Sequence, residues 1–295
     1  MVEQMSAGRR LFIVFNYFFL SFLAILCVLP LVNVLAISLS SNGAIEQGLV
    51  KLWPVDFTTI AYQHIAQSEA FHRSVWVSVK RVFLGVSLNF LLTILTAYPL
   101  SRERHQFRMR TVYVWIFVFT MLFNGGLIPT YVLVKELGLL DTIWALVLPF
   151  AVPVFNVVLL LNFFRNLPKE LSEAAFIDGA GHWQILWRIM VPLSLPAQAT
   201  VTLFAIVGQW NEWFYGLIFM NKPENYPLAS YLQTIIIRQD LMMITDTKLL
   251  ELLSKLNNRA LRAAQIFLGA LPVLVLYPFL QRYFMSGIVL GSVKE

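Results

Sequence analysis

The chain has 295 residues, of which 58% are hydrophobic and only 13% are charged, and its formal net charge is +6. Soluble domains carry about a quarter of charged residues, so this composition excludes an ordinary soluble domain. It predicts an all-α fold, a polytopic membrane helix bundle that forms a single domain over residues 1–295. In such a protein the positive charge sets the membrane topology and contacts lipid headgroups. Membrane lipid is therefore predicted as a partner, and nucleic acid is not.

Six segments are apolar over about the 20 residues that a transmembrane helix needs. The predicted transmembrane helices are residues 11–39, 82–100, 111–134, 143–164, 197–220 and 264–284. Prolines and glycines interrupt the third, fourth and sixth of these at Asn124-Gly125-Gly126, Pro129, Pro149, Pro153, Pro272 and Pro278. Inside a membrane such breaks are tolerated where neighbours or a cavity satisfy the freed backbone groups. These three helices are therefore predicted to bend and to line a pathway.

Basic residues in the short loops predict the orientation. The most compact basic clusters are Arg9-Arg10 and the loop from Arg102 to Arg110, and short basic loops stay in the cytoplasm. Both termini and the loop 165–196 are therefore predicted to be cytoplasmic, although the two sides carry equal numbers of Lys and Arg.

Two long loops, 40–81 and 221–263, are then predicted to be extracytoplasmic. The second contains two amphipathic runs, 230–237 and 248–256, and in the latter the leucines recur on one helical face. The sequence leaves two alternatives open for these runs, which either pack on the bundle or dock a soluble extracytoplasmic partner.

The cytoplasmic loop 165–196 begins with a predicted helix from Pro168 to Asp178. Proline suits the first turn of a helix. The helix combines acidic with small and apolar side chains, which are Glu170, Glu173, Ala174, Ala175, Phe176 and Ile177.

Two glycines are predicted to end this helix, Gly179 and Gly181, because glycine adopts positive φ at low cost. A second amphipathic run, 183–191, is predicted to end at Pro192. A short helix–turn–helix between two transmembrane helices is well placed to bind a partner protein.

Several catalytic motifs are absent from the sequence. It has no glycine-rich loop followed by Lys-Ser or Lys-Thr, so this chain has no phosphate cradle with which to hydrolyse ATP. It has no His-Glu-x-x-His motif. Its histidines also lack the spacing of metal ligands, and they are His64, His72, His105 and His182. No catalytic residue, no metal site and no cofactor bound by this chain is predicted.

Polar groups within the predicted spans are candidates for the pathway. Glu212 lies inside the fifth span, and a carboxylate at that depth costs about 2.5 to 3.5 kcal/mol, so it should face the bundle interior or a wet cavity. It either lines or gates a pathway or bonds a neighbouring helix. Trp210 and Trp213 either stack on a sugar or belong to an aromatic belt. The remaining candidates are polar or glycine positions that bond either a substrate or another helix, namely Asn89, Asn124, Gly125, Asn156, Asn162 and Asn211.

The spacing of the cytoplasmic loop carries a family resemblance. Glu173-Ala174-Ala175, three residues, Gly179, nine residues, Ile189, one residue and Val191-Pro192 resemble the EAA signature of permease subunits in binding-protein-dependent ABC importers. Val191 stands where leucine is commonest. Three further segments resemble the carbohydrate branch, in particular permeases for polygalacturonate or alginate oligosaccharides, and they are 124–131, 137–142 and 208–211. The tail from Gln281 resembles that of the smaller permease subunit of the maltose importer.

The resemblance implies a function and a set of partners. This chain would form half of the pathway for an oligosaccharide, with an acidic one from alginate or pectin as a candidate, in a bacterial inner membrane. Its partners would be a homologous second permease, two ATPase subunits that hold ATP and Mg, and an extracytoplasmic solute-binding protein. The residues implied in coupling to the ATPase are Glu173, Ala174, Ala175, Phe176, Asp178, Gly179, Ile189 and Pro192. The residues implied in a tail contact with the ATPases are Gly287, Gly291 and Lys294.

Two other functions remain as alternatives. The chain is either a transport subunit or a membrane sensor or scaffold that uses the same ATPase contact. The third class, a membrane-embedded enzyme, is disfavoured because the catalytic motifs are missing. The basic residues assigned to the outer side either steer an acidic saccharide or bind lipid headgroups, and they are Lys80, Arg81, Arg238, Arg259 and Arg262.

Overall fold

The computed structural model describes residues 7–242 and 259–292. In these two ranges the chain is built of helices and contains no strand, so the predicted all-α class is confirmed. The helices are α1 (Ala7–Ser38), α2 (Asn42–Glu46), α3 (Ile60–Gln67), α4 (Glu69–Ser101), α5 (Arg110–Leu122), α6 (Leu127–Glu136), α7 (Ile143–Val147), α8 (Val154–Asn166), α9 (Lys169–Ile177), α10 (His182–Ile185), α11 (Val191–Leu193), α12 (Leu195–Asn211), α13 (Phe214–Phe219), α14 (Leu228–Met242) and α15 (Arg259–Ser292).

Length and hydropathy identify three described helices that can each cross a membrane, namely α1, α4 and α15 up to Pro278. Three further pairs pass the same test only together, and each is bent: α5 with α6 by 112°, α7 with α8 by 44°, and His182–Leu193 with α12 by 82°. The described chain thus has three such helices, or up to six if every bent pair counts as one span. The first two bends fall at Gly126, whose φ is +91°, and at Pro153, as predicted. In contrast, α15 runs through its two prolines without a break.

Helix α4 begins at Glu69, well before the predicted residue 82. Its first turns carry Arg73 and Lys80, which lower the hydropathy of that stretch. The helix nevertheless continues because residues three or four positions apart bury one face of it, and these residues are Phe71, Ser74, Ser78, Arg81, Gly85 and Asn89. The outer loop is therefore shorter than the predicted 40–81.

The chain divides into two compact units. The first contains α1 to α3, the end of α14 and the part of α15 up to Leu271. Within it, the segment after α1 is held by hydrogen bonds: the Ser38 and Tyr62 hydroxyls lie 2.8 Å apart, and the Val55 amide donates to Ser40 Oγ at 3.0 Å. This segment, with its short helices α2 and α3, lies within the predicted outer loop 40–81.

The second unit contains residues from Glu69 to Thr234 and the part of α15 from Pro272. In this unit α4 packs against α8 and α12. The part of α4 that leads to Arg102 is called the Arg102 end. One buried cluster lies there, and its members include Ile94, Ala97, Tyr98, Leu160, Phe164, Ile185 and Leu186. The opposite part of α4, around Arg81, is called the Arg81 end. A second buried cluster consists of Val134, Ala145, Leu146, Phe219 and Met220.

Candidate functional site

The predicted helix–turn–helix is present, and its turn depends on one glycine. Helix α9 follows Pro168 and ends at Ile177, with Asp178 as its C-cap, after which Gly179 adopts a φ of +79°. The Ala180 amide donates to the Ala175 carbonyl at 2.9 Å and the Gly179 amide to the Phe176 carbonyl at 3.0 Å, a pairing typical of a glycine C-cap. This agrees with the predicted break at Gly179.

The same prediction is wrong for Gly181, whose φ is −78°. A residue with a side chain adopts this conformation without strain. Gly181 instead precedes α10, and its amide donates to Gln184 Oε1 at 3.1 Å. The turn therefore requires glycine at 179 and not at 181.

The second helical run does not end at Pro192. After α10 it widens into a π-helical turn over Leu186–Met190, and Pro192 lies inside α11, which ends at Leu193. A proline ring clashes with the carbonyl four residues earlier in a regular α-helix, and the wider turn in front of Pro192 relieves that conflict. The Ser194 hydroxyl then donates to the Met190 carbonyl at 2.7 Å.

The structure divides the predicted coupling residues into two groups. The exposed ones are Glu173, Ala174, Asp178, Gly179 and Pro192. The half-buried ones pack against the cluster at the Arg102 end, and they are Ala175, Phe176 and Ile189. The Phe176 ring also meets the His182 ring edge-on at a centroid distance of 5.0 Å.

Two exposed apolar side chains join the outward-facing group without having been among the predicted coupling residues. Ile177 is 86% exposed and Trp183 is 65% exposed. Large apolar side chains gathered on a polar surface mark sites of protein contact. The periodicity of α9 could have pointed to Ile177, since it follows Ala174 by three positions on one helical face.

A cavity of about 300 Å³ lies between α9 and the loop that follows α4. Its basic side chains are those of Arg102, Arg110, Arg165 and Lys169, and its acidic ones are those of Glu103 and Glu173. Lys169 forms an ion pair with Glu103. The hydrogen bond from Lys169 lowers the pKa of Glu103, and the same bond raises the pKa of Lys169.

The Arg81 end of α4 carries a buried ion pair. Arg81 is 1% exposed, and its Nη2 lies 2.8 Å from Glu212 Oε2. Its Nη1 donates to the Glu212 carbonyl at 2.8 Å and its Nε to Gln209 Oε1 at 3.0 Å. The buried and paired side chain of Arg81 contradicts the predicted contact with lipid headgroups.

Glu212 does not lie inside a transmembrane helix as predicted. Helix α12 ends at Asn211, and Glu212 has an extended ψ of 112°. The carboxylate that pairs with Arg81 also accepts a hydrogen bond from the Tyr215 amide at 2.9 Å, at the start of α13. These are the contacts of the hydrogen-bonding alternative, and they break the predicted span 197–220 into two helices.

A second cavity, of about 230 Å³, brings three predicted pathway residues together, Asn89, Asn156 and Glu212. Its other polar side chains are those of Arg81, Gln209 and Tyr215. The Asn156 amide donates to the Val201 carbonyl at 3.2 Å, and Asn89 donates to the Ala151 carbonyl at 2.8 Å. Both asparagines therefore bond another element of the bundle while they border the cavity.

The other pathway candidates lie outside this cavity. Asn124 is exposed, and its side-chain oxygen accepts the Gly126 amide at 2.9 Å, so it shapes the turn between α5 and α6. Gly125, Asn211 and Trp213 are also exposed, and Trp210 is half-buried.

The remaining predicted positions lie at or beyond the limits of the described chain. Gly287 and Gly291 belong to α15, whereas Lys294 and the run 248–256 fall outside the described residues. The side chain of Arg238 is likewise not described. Lys80, by contrast, is described, and its Nζ lies 5.2 Å from the centroid of the Trp76 ring. Within the described ranges no group of three or more His, Cys, Asp or Glu side chains could hold a metal ion.

Known proteins resemble this chain over almost its full length. Residues 89–289 match the family described as binding-protein-dependent transport system inner membrane component. Protein LplC of Bacillus subtilis (strain 168) is 38% identical over 293 residues, which cover 99% of this chain and 98% of that protein. The polygalacturonan/rhamnogalacturonan transport system permease protein YtcP of the same organism is 39% identical over 286 residues, or 97% of this chain and 99% of that protein. A chain in the crystal structure of a bacterial ABC transporter involved in the import of the acidic polysaccharide alginate is 32% identical, with a TM-score of 0.84 over 96% of this chain and 100% of that chain.

Proposed function

Because the chain belongs to the inner membrane components of binding-protein-dependent transport systems, we propose that it is one of two permease subunits of an ABC importer for an acidic oligosaccharide. It forms half of the translocation pathway in a bacterial inner membrane, with both termini in the cytoplasm. Two ATPase subunits bind ATP and Mg and hydrolyse the nucleotide, and this chain binds neither. A solute-binding protein delivers the saccharide from outside.

The observation that carries this proposal is the exposed face of the helix–turn–helix. Glu173 and Asp178 supply negative charge, and Ala174, Ile177 and Trp183 supply apolar surface. A surface of this kind fits a groove with basic and apolar walls on an ATPase subunit.

The position of this surface supports coupling. Helix α9 follows α8 after two residues, and α12 follows α11 after one residue. Both α8 and α12 pack against α4. A displacement of α9 by an ATPase therefore moves two packed helices as a body, which is how an interface motion becomes a change of the whole bundle.

The cavity at the Arg81 end supports an acidic cargo. Glu212 borders this cavity, and an unpaired carboxylate there would repel a uronate. Arg81 neutralises that carboxylate at 2.8 Å. The wall then offers amides and a phenol without a net negative charge. YtcP and the alginate importer, whose names refer to acidic polysaccharides, are similar to this chain over nearly its whole length.

A contact with a second permease is consistent with the surface of α5 and α6. The exposed apolar side chains there include Trp115, Ile116, Phe119, Leu122, Phe123 and Ile128. In a membrane such a surface is covered by lipid or by another helix bundle.

Glu173→Lys tests the proposal in the complete importer reconstituted in liposomes with its solute-binding protein. Saccharide-stimulated ATP hydrolysis is expected to be lost, because the reversed charge opposes a basic groove, while membrane insertion stays intact. Glu170→Lys is the matched control, since it makes the same change one turn away on α9 and outside the cavity lining. Uronic and neutral oligosaccharides are compared in the same vesicles, with accumulation inside as the second readout.

Three results would contradict parts of the proposal. Full stimulation in Glu173→Lys rejects the docking surface. Stimulation by neutral and not by uronic oligosaccharides rejects the acidic cargo. Saccharide-stimulated hydrolysis without accumulation favours the sensor or scaffold alternative.

A further inference from the structure

The cavity at the Arg102 end contains more cationic donors than the described residues can satisfy. Arg102 Nη1 donates to Ser172 Oγ at 3.3 Å, and Arg110 Nη1 donates to the Arg102 carbonyl at 2.9 Å. Arg102 Nε, Arg102 Nη2 and Arg110 Nε are buried, and no acceptor for them exists in the described part of the chain. All three belong to residues that line the 300 Å³ cavity.

Unpaired guanidinium donors in a cavity point to a missing anion. A buried donor without an acceptor costs about 1–3 kcal/mol, and more when it is charged. The Glu103 carboxylate at the same cavity is already paired with Lys169. Stacking of the Arg102 guanidinium 4.3 Å from the centre of the Tyr98 ring fixes its plane but offers it no hydrogen-bond acceptor.

The location of the two arginines indicates which anion. Arg102 directly follows the last residue of the span α4, and Arg110 is the first residue of α5. Such positions lie at the level of the lipid headgroups. In its first turn α5 exposes Val112 and Tyr113, and acyl chains can lie against these side chains.

We propose that this cavity binds a phosphate-bearing anion between Arg102 and Arg110. Two parallel N–H groups of a guanidinium match two oxygens of a phosphate, and basic pockets at the cytoplasmic ends of helices bind anionic headgroups. The membrane source is the headgroup of an anionic phospholipid, and the soluble source is inorganic phosphate. A bound anion joins the end of α4 to α9 through Arg102 and Ser172.

Binding is measured on the purified, delipidated importer in detergent, without ATP or saccharide, so the outcome is independent of transport. Native mass spectrometry follows phosphatidylglycerol, with phosphatidylcholine as the neutral lipid, and a parallel titration follows inorganic phosphate. Arg102→Gln and Arg110→Gln are each expected to weaken binding about tenfold, the effect of losing one charge-assisted hydrogen bond. Arg104→Gln is the matched control, because Arg104 is an exposed arginine of the same loop outside the cavity lining.

The two arms identify the source. Tight binding of phosphatidylglycerol that phosphate does not displace supports the headgroup, and binding of phosphate that phosphatidylglycerol does not match supports the soluble anion. Equal loss in Arg104→Gln, no loss in either cavity variant, or no binding of either ligand overturns the proposal. Binding that appears only after the ATPases are removed also overturns it, because a side chain of the partner then fills the cavity. Two cavity variants are used so that a failure of one to assemble leaves the other to decide.

Discussion

The two ends of α4 use the same side chain in opposite ways. Arg81 and Arg102 are separated by roughly 30 Å along the helix, taking the usual rise per residue. Arg81 is enclosed and its three nitrogens each have an acceptor on Gln209 or Glu212. Arg102 borders an open cavity and retains two buried nitrogens without an acceptor in the described residues.

This difference separates an arginine whose hydrogen bonds are all made within the chain from one that keeps donors for another molecule. At the Arg81 end the charged groups pair with each other inside the chain. This pair holds α4 to the end of α12, and Glu212 also accepts the Tyr215 amide at the start of α13. At the Arg102 end three buried guanidinium nitrogens have no acceptor within the described residues, and α9 exposes Ile177, as expected of surfaces that bind something else.

The strongest test of the comparison removes the charge at the closed end. Arg81→Met is expected to lower the free energy of unfolding by about 3 kcal/mol, because it leaves the Glu212 carboxylate in a mostly buried site without its counterion. Adding Glu212→Gln should recover most of this loss, since glutamine keeps the oxygen that accepts the Tyr215 amide. Thermal unfolding of the detergent-solubilised importer measures both.

Lys80→Met is the matched control for that change. It removes the same charge from the neighbouring position, where the side chain is exposed above Trp76, so only a small loss is expected. If Arg81→Met and Lys80→Met destabilise equally, or if the second substitution recovers nothing, the Arg81 end is not a closed electrostatic joint.

A smaller effect is expected at the open end, where the backbone of Gly179 sets the direction of the turn. Its φ is +79°, and a β-carbon added there would meet no atom within 4 Å. Gly179→Leu therefore lowers the free energy of unfolding only through the strain of the left-handed backbone conformation, by about 1–2 kcal/mol. We expect saccharide-stimulated ATP hydrolysis to fall about tenfold in this variant, with unchanged membrane insertion.

Two comparison variants isolate the cause of that effect. Gly179→Asn should retain most of the coupling, because asparagine tolerates the left-handed region. Gly181→Ala should be close to neutral, since its φ is −78°. Full coupling in Gly179→Leu would remove the turn from the proposed mechanism.

The two ends also differ in how far the sequence predicts them. The helix α9 and its Gly179 turn follow from local preferences, and the spacing from Glu173 to Pro192 carries the family resemblance. The Arg81–Glu212 contact joins residues 131 positions apart, and no local pattern reveals such a pair. For that reason the sequence places Arg81 in a long outer loop and Glu212 inside a helix, whereas Arg81 lies buried in α4 and Glu212 follows the end of α12. The cavity at the Arg102 end is likewise invisible in sequence, because Ser172, Arg102 and Arg110 meet only through packing.

The smallest expected effect concerns Asp141, which extends the closed network at the Arg81 end. The Asp141 amide donates to the Phe219 carbonyl at 2.9 Å. Phe219 ends α13, and the Tyr215 amide in the first turn of that helix donates to Glu212. One carboxylate oxygen of Asp141 accepts from the Asn225 side chain at 2.9 Å and from the amides of Asn221 and Lys222 at 3.2 and 3.3 Å. Partial burial acts to raise the pKa of Asp141, but these hydrogen bonds outweigh it and hold the pKa below its ordinary value.

The sign of the pH dependence follows from that depressed pKa. The stabilisation by ionised Asp141 is present above the ordinary pKa of aspartate, about 3.9, and is lost as the pH falls through the lower folded value. Asp141→Asn keeps an acceptor oxygen and tolerates the φ of +59° at this position, so it should destabilise only slightly at neutral pH. Asp141→Ala loses the acceptor and strains the backbone, and should cost about 1–2 kcal/mol. Thermal unfolding between about pH 5 and pH 3 should show the small gap between the wild-type chain and Asp141→Asn closing as the carboxylate is protonated. A gap that stays constant over this range would mean that the charge of Asp141 adds nothing to the stability of this network.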